Sequence, residues 1–95
     1  MTVEVRLSPA SLLDRDRIFL FLARSDRAAA YRALDILAKG FEDIAAFPQI
    51  GRAGPDGYRC LVLRFGKGGY EIRYRLVGDR AVVTRIFHTR EDRPG

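Results

Sequence analysis

The stretch YRCLVLRFGKGGYEIRYRLVGDRAVVTRIFH, residues 58–88, decides the fold. Apolar and polar residues alternate along it with a period of two, and two glycine-containing segments, 66–69 and 78–79, divide it. Alternation with this period predicts β-strands, and the glycine-containing breaks predict the turns between them. The stretch therefore predicts an antiparallel meander of three strands: Tyr58–Phe65, Tyr70–Val77 and Arg80–His88.

The middle strand of this meander has one apolar face and one charged face. The apolar positions are Tyr70, Ile72, Tyr74 and Leu76, and the charged positions between them are Glu71, Arg73 and Arg75. An antiparallel sheet with this pattern packs one face on a core and leaves the other in solvent. We expect the solvent face to carry the strand arginines.

Two helices are predicted upstream, after a short first strand over residues 2–7. Ser8 and Pro9 predict the N-cap and first turn of the first helix, and Asp26 predicts the N-cap of the second. The first helix has an apolar stripe at Leu12, Leu13, Phe19 and Leu22, which would leave the charged residues Asp14, Arg15, Asp16 and Arg17 facing water.

The second helix has a longer stripe, and its apolar residues recur every three or four positions through Gly40. They are Ala30, Ala33, Leu34, Leu37, Phe41, Ile44 and Ala45. Pro48 ends this helix, and the glycines and prolines of residues 48–57 predict a loop. The whole chain, residues 1–95, is therefore predicted to be one α+β domain of order β-α-α-β-β-β, with a helical hairpin on one face of an antiparallel sheet.

Basic residues are distributed unevenly along the chain. The net charge is +5, and fifteen of the 17 lysines and arginines are arginine. Residues 1–51 are charge-balanced, so the whole excess lies in residues 52–95. Because arginine makes bidentate contacts with phosphate and carboxylate, this half predicts a nucleic-acid partner or an acidic protein partner. The alternative is that the arginines only keep the protein soluble.

Little other chemistry is predicted. Cys60 is the only cysteine and His88 the only histidine, so we expect no internal disulfide, no metal site and no cofactor. Cys60 lies within a strand and is predicted to be a small core residue. The N-terminus lacks a signal-peptide pattern and no apolar stretch is long enough to span a membrane, so we expect a cytoplasmic protein.

The candidate binding residues lie near the end of the meander. Arg73 and Arg85 are on neighbouring predicted strands, so we expect them to be close in space. His88 closes the last strand, and Arg90 follows it in a polar tail. The cationic patch would also include Arg59, Arg64 and Arg75. The alternative is that acidic neighbours such as Glu71 pair with these arginines on a solvated face.

Four segments resemble the RelE/ParE toxin superfamily of bacterial type II toxin–antitoxin systems. They are Leu7–Ala10 entering the first helix, Phe47–Arg52 leaving the second, Tyr70–Leu76 in the middle strand and Val83–Asp92 at the end. Each is short, and their order and spacing over nearly the whole chain carry the resemblance. It implies a tightly bound antitoxin, whose acidic and partly disordered segment folds on binding.

Members of the superfamily differ in the target that they attack, and Glu71 indicates which of the two branches this chain resembles. RelE-like members cleave messenger RNA in the ribosome, which requires a proton acceptor, a proton donor and positive charge at the phosphorane. That branch usually has an arginine where this chain has Glu71, and often a tyrosine at or after the end of the last strand, where this chain has none. A carboxylate repels the scissile phosphate, so Glu71 argues against the nuclease.

The terminal His-x-x-x-Asp pattern, His88 to Asp92, is similar to the ParE-like branch, whose members poison DNA gyrase. The resemblance implies a toxin that causes growth arrest by binding gyrase, with Arg73, Arg85, His88 and Arg90 as target-binding residues and no assigned catalytic residue. Three alternatives stay open. They are a RelE-like mRNA endonuclease that uses the same four residues, a nucleic-acid-binding module, and a non-toxic family member that still binds its antitoxin.

Overall fold

The computed structural model describes residues 2–89, which form two helices and a five-stranded sheet with strand order β1-β5-β4-β3-β2. The elements are β1 (Glu4–Leu7), α1 (Pro9–Ala23), α2 (Arg27–Ala46), β2 (Arg52–Ala53), β3 (Tyr58–Phe65), β4 (Gly68–Val77) and β5 (Arg80–His88), with a 3-10 turn at Pro55–Gly57. The predicted order β-α-α-β-β-β is confirmed. The added strand β2 lies inside the segment predicted as a loop, where it pairs with Arg59 and Cys60.

The sheet is mixed rather than wholly antiparallel. Strands β3, β4 and β5 form the predicted antiparallel meander, but β1 runs parallel to β5, with Glu4 opposite Arg80 and Leu7 opposite Val83. Alternation along a strand encodes which face is buried and not the direction of its neighbour. The prediction of an antiparallel sheet is therefore wrong for β1.

Both helix starts agree with their predicted caps. The Ser8 hydroxyl accepts a hydrogen bond from the Ser11 amide at 3.1 Å, and the Asp26 carboxylate accepts one from the Ala29 amide at 3.2 Å. Helix α2 continues through Gly40, where an added Cβ would lie 2.7 Å from a methyl of Leu63. Glycine at this position lets the helix approach the sheet closely. No helix within residues 2–89 is long and apolar enough to cross a membrane.

The predicted apolar stripe of α1 is wrong in its first half. Leu12 and Leu13 are 40% and 69% exposed, whereas Ser11, Asp14 and Ile18 are buried. The start of α1 lies along the edge of β5, beyond the point where β1 stops pairing with it. Backbone groups at that edge need hydrogen-bond partners, so the helix turns polar side chains towards them.

The core lies between the helical hairpin and the inner face of the sheet. Its largest fully buried side chains come from α2, β4 and β5: Leu37, Ile44, Ile72, Tyr74, Val83 and Ile86. The inner face predicted for β4 is confirmed for Tyr70, Ile72 and Tyr74. Leu76 remains 37% exposed near the end of the strand.

A β-bulge in β5 keeps both halves of that strand in phase with the core. Ile86 pairs with Ile72, but the register shifts so that Val83 pairs with Tyr74. The chain between them contains one residue too many for regular alternation, and a bulge absorbs such an extra residue. Val83 and Ile86 therefore both face inwards, although they are three positions apart.

The phenol of Tyr74 anchors the loop after α2 to the core through two hydrogen bonds. Its hydroxyl donates to the Pro48 carbonyl at 2.7 Å and accepts from the Gly51 amide at 2.8 Å, and its ring is fully buried. We predict that Tyr74→Phe lowers the free energy of unfolding by about 2 kcal/mol, because two buried backbone groups lose their partner. Chemical denaturation measures this change.

Tyr31→Phe is the matched control, because Tyr31 is 57% exposed. It should change the free energy of unfolding by less than about 0.5 kcal/mol. Equal effects of the two substitutions would contradict the role assigned to the Tyr74 hydroxyl.

Candidate functional site

Arg73 and Arg85 lie side by side on the outer face of the sheet, opposite the helices. They are direct cross-strand partners on β4 and β5. Their guanidinium groups lie over the same ring, that of Phe87, at 5.0 Å and 4.9 Å from its centroid. The expected proximity of the two arginines is confirmed. We call Arg73, Arg85 and Phe87, with Glu71, the outer cluster.

Glu71 is a buried carboxylate within this cluster. It is 7% exposed and lies opposite Phe87 in the β4–β5 register. The Arg73 Nε donates a hydrogen bond to Glu71 Oε2 at 2.7 Å. The ion pairing weighed as an alternative for this face is therefore present at Arg73.

Cys60 is half-buried on the outer face and is not part of the core, which corrects the prediction made for it. It is the cross-strand partner of Arg73. Burial raises the pKa of the Cys60 thiol, and the nearby Glu71 carboxylate raises it further. The thiol therefore stays protonated near neutral pH, which disfavours a nucleophilic role.

Asp14 of α1 binds both the Arg85 side chain and the backbone of β5. Its carboxylate accepts from Arg85 Nε at 2.8 Å, from Arg85 Nη2 at 3.1 Å and from the Ile86 amide at 2.8 Å. Its side chain is only 3% exposed. The sequence placed Asp14 on the water-facing side of α1, and this prediction is wrong because the carboxylate satisfies the edge of β5.

Arg17 completes this contact one helical turn later. It donates to Asp14 Oδ1 at 2.5 Å and to the Ile86 carbonyl at 3.2 Å. Asp14 thus accepts a hydrogen bond from the Ile86 amide, and Arg17 donates one to the Ile86 carbonyl. Together they make the two hydrogen bonds that a neighbouring strand would make. We call Asp14, Arg17, Arg85 and the Ile86 backbone the α1–β5 clasp.

The clasp determines the protonation of Asp14. Burial by itself would raise the pKa of Asp14, but the hydrogen bonds from Arg85, Ile86 and Arg17 and the charge of Arg85 outweigh it. The pKa consequently lies below its ordinary value of 3.8. The carboxylate is ionised at neutral pH and holds Arg85 by charge as well as by geometry.

His88 points to the other face of the sheet. It pairs with Tyr70 on the helix side, and the two rings meet edge to face at 5.3 Å. Of the four predicted target-binding residues, the structure therefore brings together Arg73 and Arg85 and separates His88 from them. Arg90 lies outside the described residues.

The wider cationic patch also divides between the two faces. Arg75 stacks over the ring of Tyr58 at 3.6 Å on the outer face. Arg59 pairs with Tyr74 on the inner face, and its guanidinium donates to the Gly51 carbonyl at 2.7 Å. Arg59 is therefore a loop anchor, contrary to its predicted place in the patch. Within residues 2–89, no group of three His, Cys, Asp or Glu side chains could hold a metal ion.

Comparisons with known proteins agree on the family of this chain. A family model described as the ParE toxin of type II toxin-antitoxin system, parDE, matches residues 5–93. Toxin RelE1 of Caulobacter vibrioides is 34% identical over 93 residues, covering 98% of this chain and 100% of that protein. Toxin RelE3 of the same organism is 33% identical over 89 residues, covering 94% and 97%.

Solved structures confirm the fold. The chain is similar to one from the chromosomal ParDE system of P. aeruginosa, with a TM-score of 0.78 and 15% identity over 93% of this chain and 97% of that one. A chain of the RelBE2 toxin–antitoxin complex from Mycobacterium tuberculosis gives a TM-score of 0.60 and 17% identity, covering 93% and 99%. At these identities the likeness concerns the fold alone.

The clasp makes a prediction about stability. Asp14→Ala leaves Arg85 and the Ile86 amide without their common acceptor, so we expect a loss of about 3 kcal/mol in the free energy of unfolding. The exposed neighbour Asp16 is the control, and Asp16→Ala should cost less than about 0.5 kcal/mol. Equal losses of unfolding free energy in the two variants would contradict the role assigned to Asp14 in the α1–β5 clasp.

The pH dependence of stability gives a second measurement. Because the folded-state pKa of Asp14 is lowered, its contribution is complete above its ordinary value of 3.8 and is lost as the pH falls through the folded-state value. The stability advantage of the wild type over Asp14→Asn should therefore be constant above about pH 5 and shrink at lower pH. An advantage that did not change with pH would show that charge is not involved.

Proposed function

This chain belongs to the ParE toxin family of type II toxin–antitoxin systems, and from that premise we propose that it arrests growth by binding DNA gyrase through its outer cluster. The family match covers residues 5–93, and both Caulobacter relatives are themselves named toxins. In this proposal the toxin acts in the bacterial cytoplasm, where its cognate antitoxin neutralises it.

The main support for binding over catalysis is the pairing of the outer arginines with carboxylates. Arg73 binds Glu71, and Arg85 binds Asp14. An endonuclease needs positive charge directed at the phosphorane of the transition state. Here each guanidinium already faces a carboxylate, which lowers the local potential and would repel the phosphate.

Proton transfer is also poorly supported at the outer cluster. Cleavage of RNA by its 2′-hydroxyl needs a general base and a general acid within hydrogen-bond reach of the reacting oxygens. His88 is on the opposite face of the sheet, and the raised pKa of Cys60 keeps that thiol protonated. Tyr74 is buried on the inner face and bonded to the backbone. These positions favour a binding surface.

The outer face has the composition of a protein-binding surface. It presents arginines that are stacked on aromatic rings, Arg75 on Tyr58 and the pair Arg73 and Arg85 on Phe87. Arginine and aromatic residues dominate the energetics of protein interfaces. Because these side chains are already held by stacking and ion pairs, less conformational entropy is lost when a partner binds.

A second candidate function is ribosome-dependent cleavage of messenger RNA. The observation that favours it is that the two curated relatives, at 34% and 33% identity, are named RelE toxins. The arginines of the outer cluster would then contact the RNA backbone. The two candidates differ in target, so one pair of assays separates them.

We predict that the purified toxin inhibits DNA supercoiling by gyrase, and that Arg73→Ala raises the concentration needed for half-inhibition at least about tenfold. The reason is that Arg73 is a preorganised cation in the outer cluster. Arg80→Ala is the matched control, because Arg80 is an exposed arginine at the start of β5. It removes the same charge and should change inhibition less than about twofold.

Thermal melts of each variant show whether it is folded at the assay temperature. Absence of gyrase inhibition, together with cleavage of messenger RNA on ribosomes, would reject the first candidate and support the second. Equal effects of Arg73→Ala and Arg80→Ala on inhibition would leave net charge, and not the outer cluster, as the determinant.

A further inference from the structure

Strand β1 forms one edge of the sheet and pairs with β5 on one side only. Directly after β1, the Ser8 amide donates to the Val83 carbonyl of β5 at 2.9 Å. Successive residues of a strand direct their backbone groups to opposite sides. The amides and carbonyls of Val5 and Leu7 therefore point away from β5. We call this side of β1 the free edge.

Only the beginning of the free edge has a partner. The Val3 amide donates to the Ala45 carbonyl at the end of α2, at 2.9 Å. Within residues 2–89, no helix, loop or side chain bonds to the backbone of Val5 or Leu7 on this side. Unpaired backbone groups along a strand edge are a template for a further strand. The residues from Val5 to Leu7 are therefore available for pairing.

The side chains of β1 carry one acid and one base on the same face. Glu4 and Arg6 are exposed on the outer face of the sheet, whereas Val5 and Leu7 are half-buried and pack against the core. Glu4 and Arg6 form an ion pair with each other, and both side chains are more than half exposed. Because exposed pairs contribute little, both charges can pair instead with a strand on the free edge.

Two copies of β1 match each other in one antiparallel register. With Val5 opposite Val5 of a second copy, Glu4 of each copy lies opposite Arg6 of the other on one face. Opposite charges directly across two strands are favourable, and like charges are unfavourable. A slip of two residues places Glu4 opposite Glu4 or Arg6 opposite Arg6, and a parallel pair also aligns like charges. The charges therefore select a single two-fold arrangement.

The backbone of the free edge fits the same register. Val5 of each copy exchanges its N–H and C=O hydrogen bonds with Val5 of the other. Each Leu7 amide is directed at the Val3 carbonyl of the other copy, while the Val3 amide keeps its bond to Ala45. Pairing thus satisfies groups that the single chain leaves to water.

Exposed apolar side chains beyond the two ends of β1 add contact area. A strand pair of this length buries less area than a stable dimer needs. Leu13 at the start of α1 is 69% exposed, and Phe47 at the end of α2 is 68% exposed. The first follows β1 in the chain, and the second lies near Val3 because Ala45 bonds to it. Antiparallel pairing therefore brings the start of α1 of one copy towards the end of α2 of the other.

The opposite edge of the sheet lacks such complementarity. There β2 has only two residues and is followed closely by Pro55. Beyond β2, the strand Tyr58–Phe65 contains two arginines and no acidic residue. Two copies joined at that edge could not form cross-strand ion pairs between these strands. Charge therefore favours self-association at β1.

We propose that the chain forms a two-fold homodimer in which β1 pairs antiparallel with β1 of a second copy. The two five-stranded sheets then join into one. Side chains directly opposite each other share a face, so the outer clusters of both copies lie on the same side of the joined sheet. The dimer presents two copies of the outer cluster in one direction, whatever molecule they bind.

The test measures self-association of the full-length chain by sedimentation equilibrium over a range of concentrations. Glu4→Arg gives β1 two bases and Arg6→Glu gives it two acids, so each should raise the dissociation constant of the dimer at least about tenfold. The control Asp35→Arg makes the same charge change as Glu4→Arg at an exposed position of α2 and should raise it less than about twofold. Circular dichroism and thermal melts show whether each variant is folded.

Mixing the two charge variants separates strand pairing from net charge. In a mixed dimer the basic strand of Glu4→Arg lies opposite the acidic strand of Arg6→Glu, so both cross-strand ion pairs form again. We expect the equimolar mixture to recover the wild-type dissociation constant within about threefold. Native mass spectrometry identifies the mixed dimer by its mass. A mixture that remains as monomeric as its two components would overturn the proposed register.

A backbone variant tests the hydrogen bonds of the free edge. Val5→Pro removes an amide that points away from β5, and an edge strand tolerates proline at such a position. It should raise the dissociation constant at least about tenfold, because the central hydrogen bonds of the strand pair are lost. The matched control Val5→Ala shortens the same side chain and keeps the amide, so it should remain dimeric.

Three further outcomes would overturn the homodimer. The first is a wild-type chain that stays monomeric at the highest concentration measured. The second is a dimer that forms equally well in Val5→Pro and in both charge variants, because the interface would then lie elsewhere. The third is a monomeric chain whose affinity for the protein encoded beside its gene falls in Val5→Pro, because a strand of that partner would then occupy the free edge.

Discussion

The hydrogen bonds of Asp14 to β5 are the interaction on which the outer cluster depends. Strand β1 pairs with β5 only as far as Val83, so the remainder of that edge would expose unpaired backbone groups within the fold. Asp14 supplies the acceptor and Arg17 the donor that β1 does not provide, and both bind the backbone of Ile86. The same carboxylate orients Arg85, so the position of α1 and the geometry of the outer face are determined together.

The meander was predictable because alternation is a local property of each strand. The burial of Asp14 was not predictable from the sequence. It depends on the residue at which β1 ends, and the periodicity of α1 contains no information about that residue. Two details did have signals in the sequence. The spacing of three between the apolar residues Val83 and Ile86 breaks the alternation and marks the bulge. Arg85 and His88 are also three apart, so regular alternation beyond the bulge already placed them on opposite faces.

That division of faces separates two kinds of basic surface. On the outer face, arginines are stacked on rings and paired with buried carboxylates, so their positions are restricted. On the helix face, Arg32 and Lys67 border an apolar groove without an acidic lining residue. The first arrangement suits a partner that recognises a fixed geometry, and the second suits a flexible acidic segment that adapts on binding. The basic side chains therefore form two surfaces, and one of them includes Arg32 from the charge-balanced first half of the chain.

Pairing the outer arginines with buried carboxylates has opposite consequences for structure and for phosphate chemistry. A buried carboxylate needs partners, and Arg73 and Arg85 supply them, which stabilises the edge of β5 and fixes both guanidinium groups. Those same contacts reduce the positive potential that a phosphorane would require. Removing Glu71 or Asp14 to restore that potential would also release the arginine that has to be positioned. In this chain, therefore, the substitution that would favour phosphate chemistry also disrupts the geometry on which such chemistry depends.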